Sequence, residues 1–321
     1  MIGAGLVVSL MMSALWALLA VFWQDQKLNL LTVAACVPVF VLADLVRYYL
    51  IGTRRDMRLL VFDVVYVCAN VIVIYLSADI TNQPDKTFWW WAATAFFVTT
   101  IGIVWCGCFP TFKRSAGWAR DHWSSGSAFT VEATLGAALG YLIVLILAIF
   151  STEQDVAAFR TAVAIFGLSS LVINFLRTTV LREFSSSSLS GTVEGQVGKM
   201  LLLTLIAVSF SYVLLTSLPE NIGRGLFGET WVFVAPLFLV AAVNRFAASM
   251  STIPSVLLRA LGVSWRVTRL RMWVALVSLG LGPVGAYYAG AAGAFVAEAV
   301  AYAILTFALV VVYKDEVTKR A

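Results

Sequence analysis

Residues 230–259 read TWVFVAPLFLVAAVNRFAASMSTIPSVLLR, thirty positions in which Arg245 is the only charge before the closing Arg259. At about 1.5 Å of rise per residue, such a helix exceeds the roughly 30 Å of a bilayer hydrocarbon core. Pro236 and Pro254 flank Arg245 and predict a bent helix. A guanidinium near the middle of a span costs about 3 kcal/mol on insertion scales. It is therefore expected to face a protein interior or a wet cavity rather than lipid.

The same pattern recurs from end to end. Of the 321 residues, 61% are hydrophobic and 12% charged, more apolar surface than a soluble domain of this size can hide. The apolar runs predict ten helices, at 1–22, 29–51, 59–79, 88–109, 129–150, 156–181, 200–217, 230–259, 272–288 and 291–313. The fold class is thus an all-α polytopic membrane protein with about ten transmembrane helices. Cys36, Cys68, Cys106 and Cys108 lie within or at the ends of spans and read as small packing residues. With a single histidine, His122, the sequence offers no metal site, and nothing in it calls for a cofactor.

Charge sets the orientation. Fifteen Lys and Arg fall in segments 52–58, 110–128, 182–199, 259–271 and 314–321, against Lys27, Lys86 and Arg224 in the alternate connections. The positive-inside rule then puts both termini on the cytoplasmic side of the cytoplasmic membrane. The net charge of +5 reads as this bias, not as a nucleic-acid footprint. Trp89–Trp91 opens the fourth span as an interfacial anchor.

Two turns resemble each other. Leu45-Val46-Arg47-Tyr48-Tyr49-Leu50 followed by Arg54, and Leu257-Leu258-Arg259-Ala260-Leu261 followed by Arg266, end spans of like orientation six spans apart. This suggests a parallel six-helix repeat whose first bundle is short by two helices. The expected organisation is an incomplete four-span bundle at 1–115, a cytoplasmic linker at 116–128, a six-helix bundle at 129–313 and a tail at 314–321.

Arg47, Arg160, Arg177 and Arg245 lie within spans. Arg245 is deepest. Arg160 sits one turn inside its helix. Arg47 has Asp44 at i−3, a spacing that permits pairing and a gate or structural role. Arg177, with Asn174 at i−3, lies near an interface and reads as a gate or anchor. Glu298 is the deepest acid, a candidate to neutralise an arginine or to carry a coupling proton or ion, whereas Asp63 and Glu132 read as reaching headgroup water.

Several stretches resemble Wzx-type polysaccharide flippases of the multidrug/oligosaccharidyl-lipid/polysaccharide exporter superfamily. They are Ala43-Asp44-Leu45-Val46-Arg47-Tyr48 with Arg54 and Asp63, Ala158-Phe159-Arg160-Thr161-Ala162 with Gly167, Leu226-Phe227-Gly228-Glu229-Thr230-Trp231 with Pro236, and Gly290-Ala291-Ala292-Gly293-Ala294. The resemblance covers most of residues 40–313. It implies alternating access of two bundles around an Arg-lined cavity that flips an anionic lipid-linked oligosaccharide or polysaccharide precursor. Arg245 and Arg160 would contact the substrate. Membrane lipids and glycan-assembly membrane proteins would be the partners. Family members have twelve or more helices, so the missing pair leaves open a truncated, non-transporting partner subunit; a multidrug-exporter relative is a second alternative, although its cation substrates would favour cavity acids over arginines. A membrane glycosyltransferase is disfavoured by the short external connections.

Overall fold

The computed structural model describes residues 2–80, 84–107, 109, 115–167, 169 and 193–320. Arg177, Asn174, Cys108 and most of 182–199 lie outside them. Among the described residues the chain is helical with short connections and no strand. Eight helices among the described residues are long and apolar enough to cross a membrane, and the protein is an all-α polytopic membrane protein. Most of these helices are apolar around their whole circumference, as expected where lipid rather than water surrounds them. Large side chains such as Leu18, Val71, Ile101 and Leu202 therefore point outward.

The chain divides into two compact units, Met1–Trp123 and Ser124–Ala321. The first holds α1 (Ile2–Phe22), α2 (Lys27–Gly52), α3 (Asp56–Ile80), α4 (Pro84–Cys106) and the short α5 (Ser115–Asp121). With no water to drive apolar surfaces together, close backbone approach and polar contacts hold such helices. Gly102 is one such approach: a Cβ there would lie 2.5 Å from the Phe62 ring. Ser13 Oγ ties α1 to α2 by donating to Ala34 O at 2.5 Å. Val46, Leu50, Phe62 and Cys106 form the buried centre.

The second unit holds α6 (Trp123–Phe150, from Ser124 onward), α7 (153–167), α8 (Val193–Thr216), α9 (Glu220–Phe227), α10 (Trp231–Val234), α11 (Phe238–Ala260) and α12 (Ser264–Thr318). Its core joins Leu147, Phe159, Phe166, Trp231, Phe238 and Phe295, with the Phe159 and Phe295 rings stacked at 4.4 Å. Pro236 falls in a 3-10 turn, Ala235–Leu237, between α10 and α11. A proline at the start of a helix removes an amide hydrogen that has no partner there anyway, so the break precedes α11 instead of bending it. Pro254 lies inside α11.

α12 is 55 residues long, about 80 Å if straight and far more than one crossing needs. It is a hairpin. Helical geometry fails at Ala289 (φ −143°, ψ 24°) and Gly290 (φ 53°, ψ −135°), the latter a conformation that only glycine adopts readily. The chain then returns, so that Val267 and Val274 of the first arm share a cluster with Ala301, Leu305 and Leu309 of the second. Next to the turn the backbones touch: a Cβ on Gly285 would collide with the Gly293 carbonyl, and one on Gly293 with the Gly285 carbonyl. The arms account for spans 272–288 and 291–313, but the helix starts at Ser264, eight residues earlier than expected.

The polar segment 116–128, expected to be a linker, is itself largely helical and belongs to α5 and α6. Charge does not exclude a helix, and Ala and Arg are good helix formers. Residues 314–318, read as a tail, continue α12. There Arg266 pairs with Glu316, Lys319 with Asp315 at 2.5 Å, and Arg320 Nη2 donates to Leu261 O at 2.7 Å.

Candidate functional site: a cation-lined cavity in the second unit

A cavity of about 650 Å³ opens among α6, α7, α11 and both arms of α12. That volume falls within the roughly 300–1,000 Å³ of ordinary ligand pockets. Its wall combines aliphatic and aromatic side chains with a few charges. Arg160, Arg245 and Glu298, singled out from widely separated stretches of sequence, all line it. Arg160 is exposed on α7, directly after the Ala158–Phe159 pair that anchors this helix in the core. Arg245 follows Asn244 on α11. Asn244 is buried, and its Nδ2 donates to both Phe295 O and Glu298 Oε2 at 3.2 Å. That amide fixes the Glu298 carboxylate on the second arm and ties α11 to the hairpin.

Sequence reasoning missed the other charged lining. Glu132 and Arg271 also face the cavity. Glu132 Oε1 meets Arg271 Nη1 at 2.9 Å, and its Oε2 is bound by Arg259 Nη2. The side chains of Glu132 and Arg259 are 9% and 3% exposed, and the Arg259 guanidinium lies over the Phe129 ring at 4.4 Å. Arg271 Nη2 also donates to Ser255 Oγ at 3.2 Å. Glu132 is therefore buried between two guanidiniums, not extended into headgroup water. In the sequence Arg259 and Arg271 look like turn charges, because basic residues cluster at span ends. Glu132 lies 127 residues from Arg259, a separation at which periodicity carries no signal.

The cavity wall carries three arginines against two glutamates. In a low-dielectric surround, such fixed and permanently charged groups favour an anion over a cation. Arginine adds a planar fork of donors suited to carboxylate or phosphate oxygens.

Arg47 and Asp44 belong to the first unit and are not among the residues that line this cavity. Arg47 Nη1 pairs with Asp44 Oδ1 at 2.8 Å, and Arg47 Nε with Asp63 Oδ1 at 2.6 Å. The guanidinium also lies over the Tyr66 ring at 4.7 Å. Asp63, expected to reach headgroup water, instead ties α3 to α2. Arg177 lies outside the described residues. Comparison with family models, curated proteins and solved structures finds no match to this chain.

Proposed function

We propose that this protein translocates an anionic lipid-linked oligosaccharide or polysaccharide precursor across the cytoplasmic membrane, with both termini on the cytoplasmic side. The observation carrying this reading is the cavity on which Arg160, Arg245 and Arg271 meet two carboxylates inside a membrane-spanning helical bundle. A diphosphate-linked headgroup cannot cross hydrocarbon bare, and these arginines offer it a charged surface while its lipid tail remains in the bilayer. The residual glutamates keep the attraction moderate, as turnover requires. An excess of arginine is also poorly suited to the cations of a multidrug exporter. Alternating access, the six-helix repeat and association with glycan-assembly membrane proteins belong to the same reading. So does a coupling role for Glu298.

The test uses full-length protein reconstituted in vesicles with a prenyl-diphosphate-linked sugar whose headgroup carries a fluorophore. An impermeant quencher added outside reports how fast the inner-leaflet pool reaches the outer leaflet. Wild type should bring nearly all the fluorophore within reach. Arg245→Ala and Arg160→Ala should slow the process at least tenfold with unchanged incorporation. Equal rates in both variants would overturn the reading.

A further inference from the structure

We infer that Arg271 is a further anion contact of the cavity, and that Glu132 is a resident carboxylate it exchanges for a phosphate or diphosphate group. The inference rests on the anion-binding reading above and names a residue and an exchange that reading does not contain.

The two oxygens of Glu132 are divided between two arginines of different accessibility. Arg259 holds Oε2 from behind, with its side chain almost fully buried against Phe129 and absent from the cavity wall. Arg271 holds Oε1 from the cavity side, with its side chain 20% exposed. If Arg271 turned to a ligand, Glu132 would keep its bond to Arg259, and no buried carboxylate would be stranded. A buried ion pair is costly to break chiefly because one partner is left alone, and this arrangement avoids that cost.

Donor capacity points the same way. The three side chains together carry one positive charge. Two guanidiniums offer more N–H groups than one carboxylate can accept, and of the two it is Arg271 that lines the cavity. A phosphate group presents the same kind of oxygen acceptor as Glu132, with more of them and more charge. Position supports the assignment too. Along α6 the cavity wall runs from Glu132 to Val144, about 18 Å by helical rise. Arg271 meets Glu132 at one end of that run. An extended headgroup therefore meets cationic side chains on α7, α11 and the first arm of α12.

The test titrates purified full-length protein in detergent by calorimetry, with inorganic pyrophosphate in one arm and farnesyl diphosphate in the other. Arg271→Gln should weaken binding about tenfold, the worth of one charge-assisted contact. Glu132→Gln should strengthen it several-fold, because the competing carboxylate is gone. General destabilisation would not give opposite signs. If Arg271→Gln does not fold, Glu132→Gln decides, and unchanged or weaker binding there overturns the inference. Response to both probes, or to the prenylated one alone, supports the contact and tells a free diphosphate from a lipid-borne one. Arg245→Ala abolishing binding while Arg271→Gln leaves it unchanged would sink the inference and spare the proposed function. Wild-type protein that binds neither probe would sink both.

Discussion

The Asp155 carboxylate accepts a hydrogen bond from the Ala291 backbone N–H at 3.2 Å, joining the first turn of α7 to the start of the second α12 arm. A carboxylate there satisfies an amide hydrogen that the Ala289–Gly290 break leaves without a helical partner. Burial pushes the Asp155 acid up, but hydrogen bonds from Ser151 Oγ, the Ala291 amide and Thr152 outweigh it and hold it below its ordinary 3.8. A carboxylate depressed on folding stabilises above its unfolded value and loses that contribution as pH falls through the folded one. Asp155→Asn should therefore lower stability by about 1 kcal/mol at neutral pH. The gap from wild type should stay constant down to about pH 5 and close only below 3.8. Thermal unfolding in detergent, followed by tryptophan fluorescence, checks this; a gap that shrinks between pH 7 and 5 would count against it.

Gly293→Ala places a methyl group against the Gly285 carbonyl and should cost about 1–3 kcal/mol, since the hairpin backbones must part. Gly280→Ala on the first arm meets nothing within 4 Å and should be neutral or slightly stabilising. Melting temperatures of the two variants should differ by several degrees, and equal values would remove the close-contact account of the hairpin.

In the first unit, Arg47 is shared by Asp63 and the more exposed Asp44. A double-mutant cycle between Arg47→Ala and Asp63→Ala should return a coupling of about 1 kcal/mol. The same cycle with Asp44 should give less, because that side chain is 62% exposed. Additive effects at both sites would make the bridge between α2 and α3 energetically irrelevant.

Fixed positive charge on the cavity wall predicts selective chemistry at its surface. In a cysteine-free background, Ala164→Cys lines the cavity and should react with water-soluble thiol reagents. Ala162→Cys, on the same helix but fully buried, should not. An anionic methanethiosulfonate should outpace a cationic one at position 164 by roughly tenfold, falling as salt is added. Equal rates would show that the arginines set no field there.

The sequence carried the fold class because hydrophobic run length is a direct measure of bilayer thickness, and residues 230–259 satisfy it unaided. Depth within a run also carried Arg245 and Glu298, since a buried charge must have a reason to be there. Partnership was not legible. Glu132 and Arg259 meet across 127 positions, and Arg47 meets Asp63 across two helices. Only the packed bundle brings such pairs together. Arg271 was misplaced for a different reason. The density of positive charge at 259–271 looks like a turn, yet α12 starts at Ser264 and carries Arg271 two turns into the helix, where it reaches the cavity.

The backbone contact at Gly285 and Gly293 also has a mechanical side. At Gly285 and Gly293 the main chains touch, so no side chain lies between the arms there. That contact beside the turn, with the apolar cluster of Val267, Val274, Ala301, Leu305 and Leu309 farther along, joins the arms into one plank. Arg271 and Glu298, on opposite arms, are both carried by that plank. Whatever widens or narrows the space must be a displacement of α6, α7 or α11 against that plank, and the Glu132–Arg271 contact is one of the seams along which it would slide.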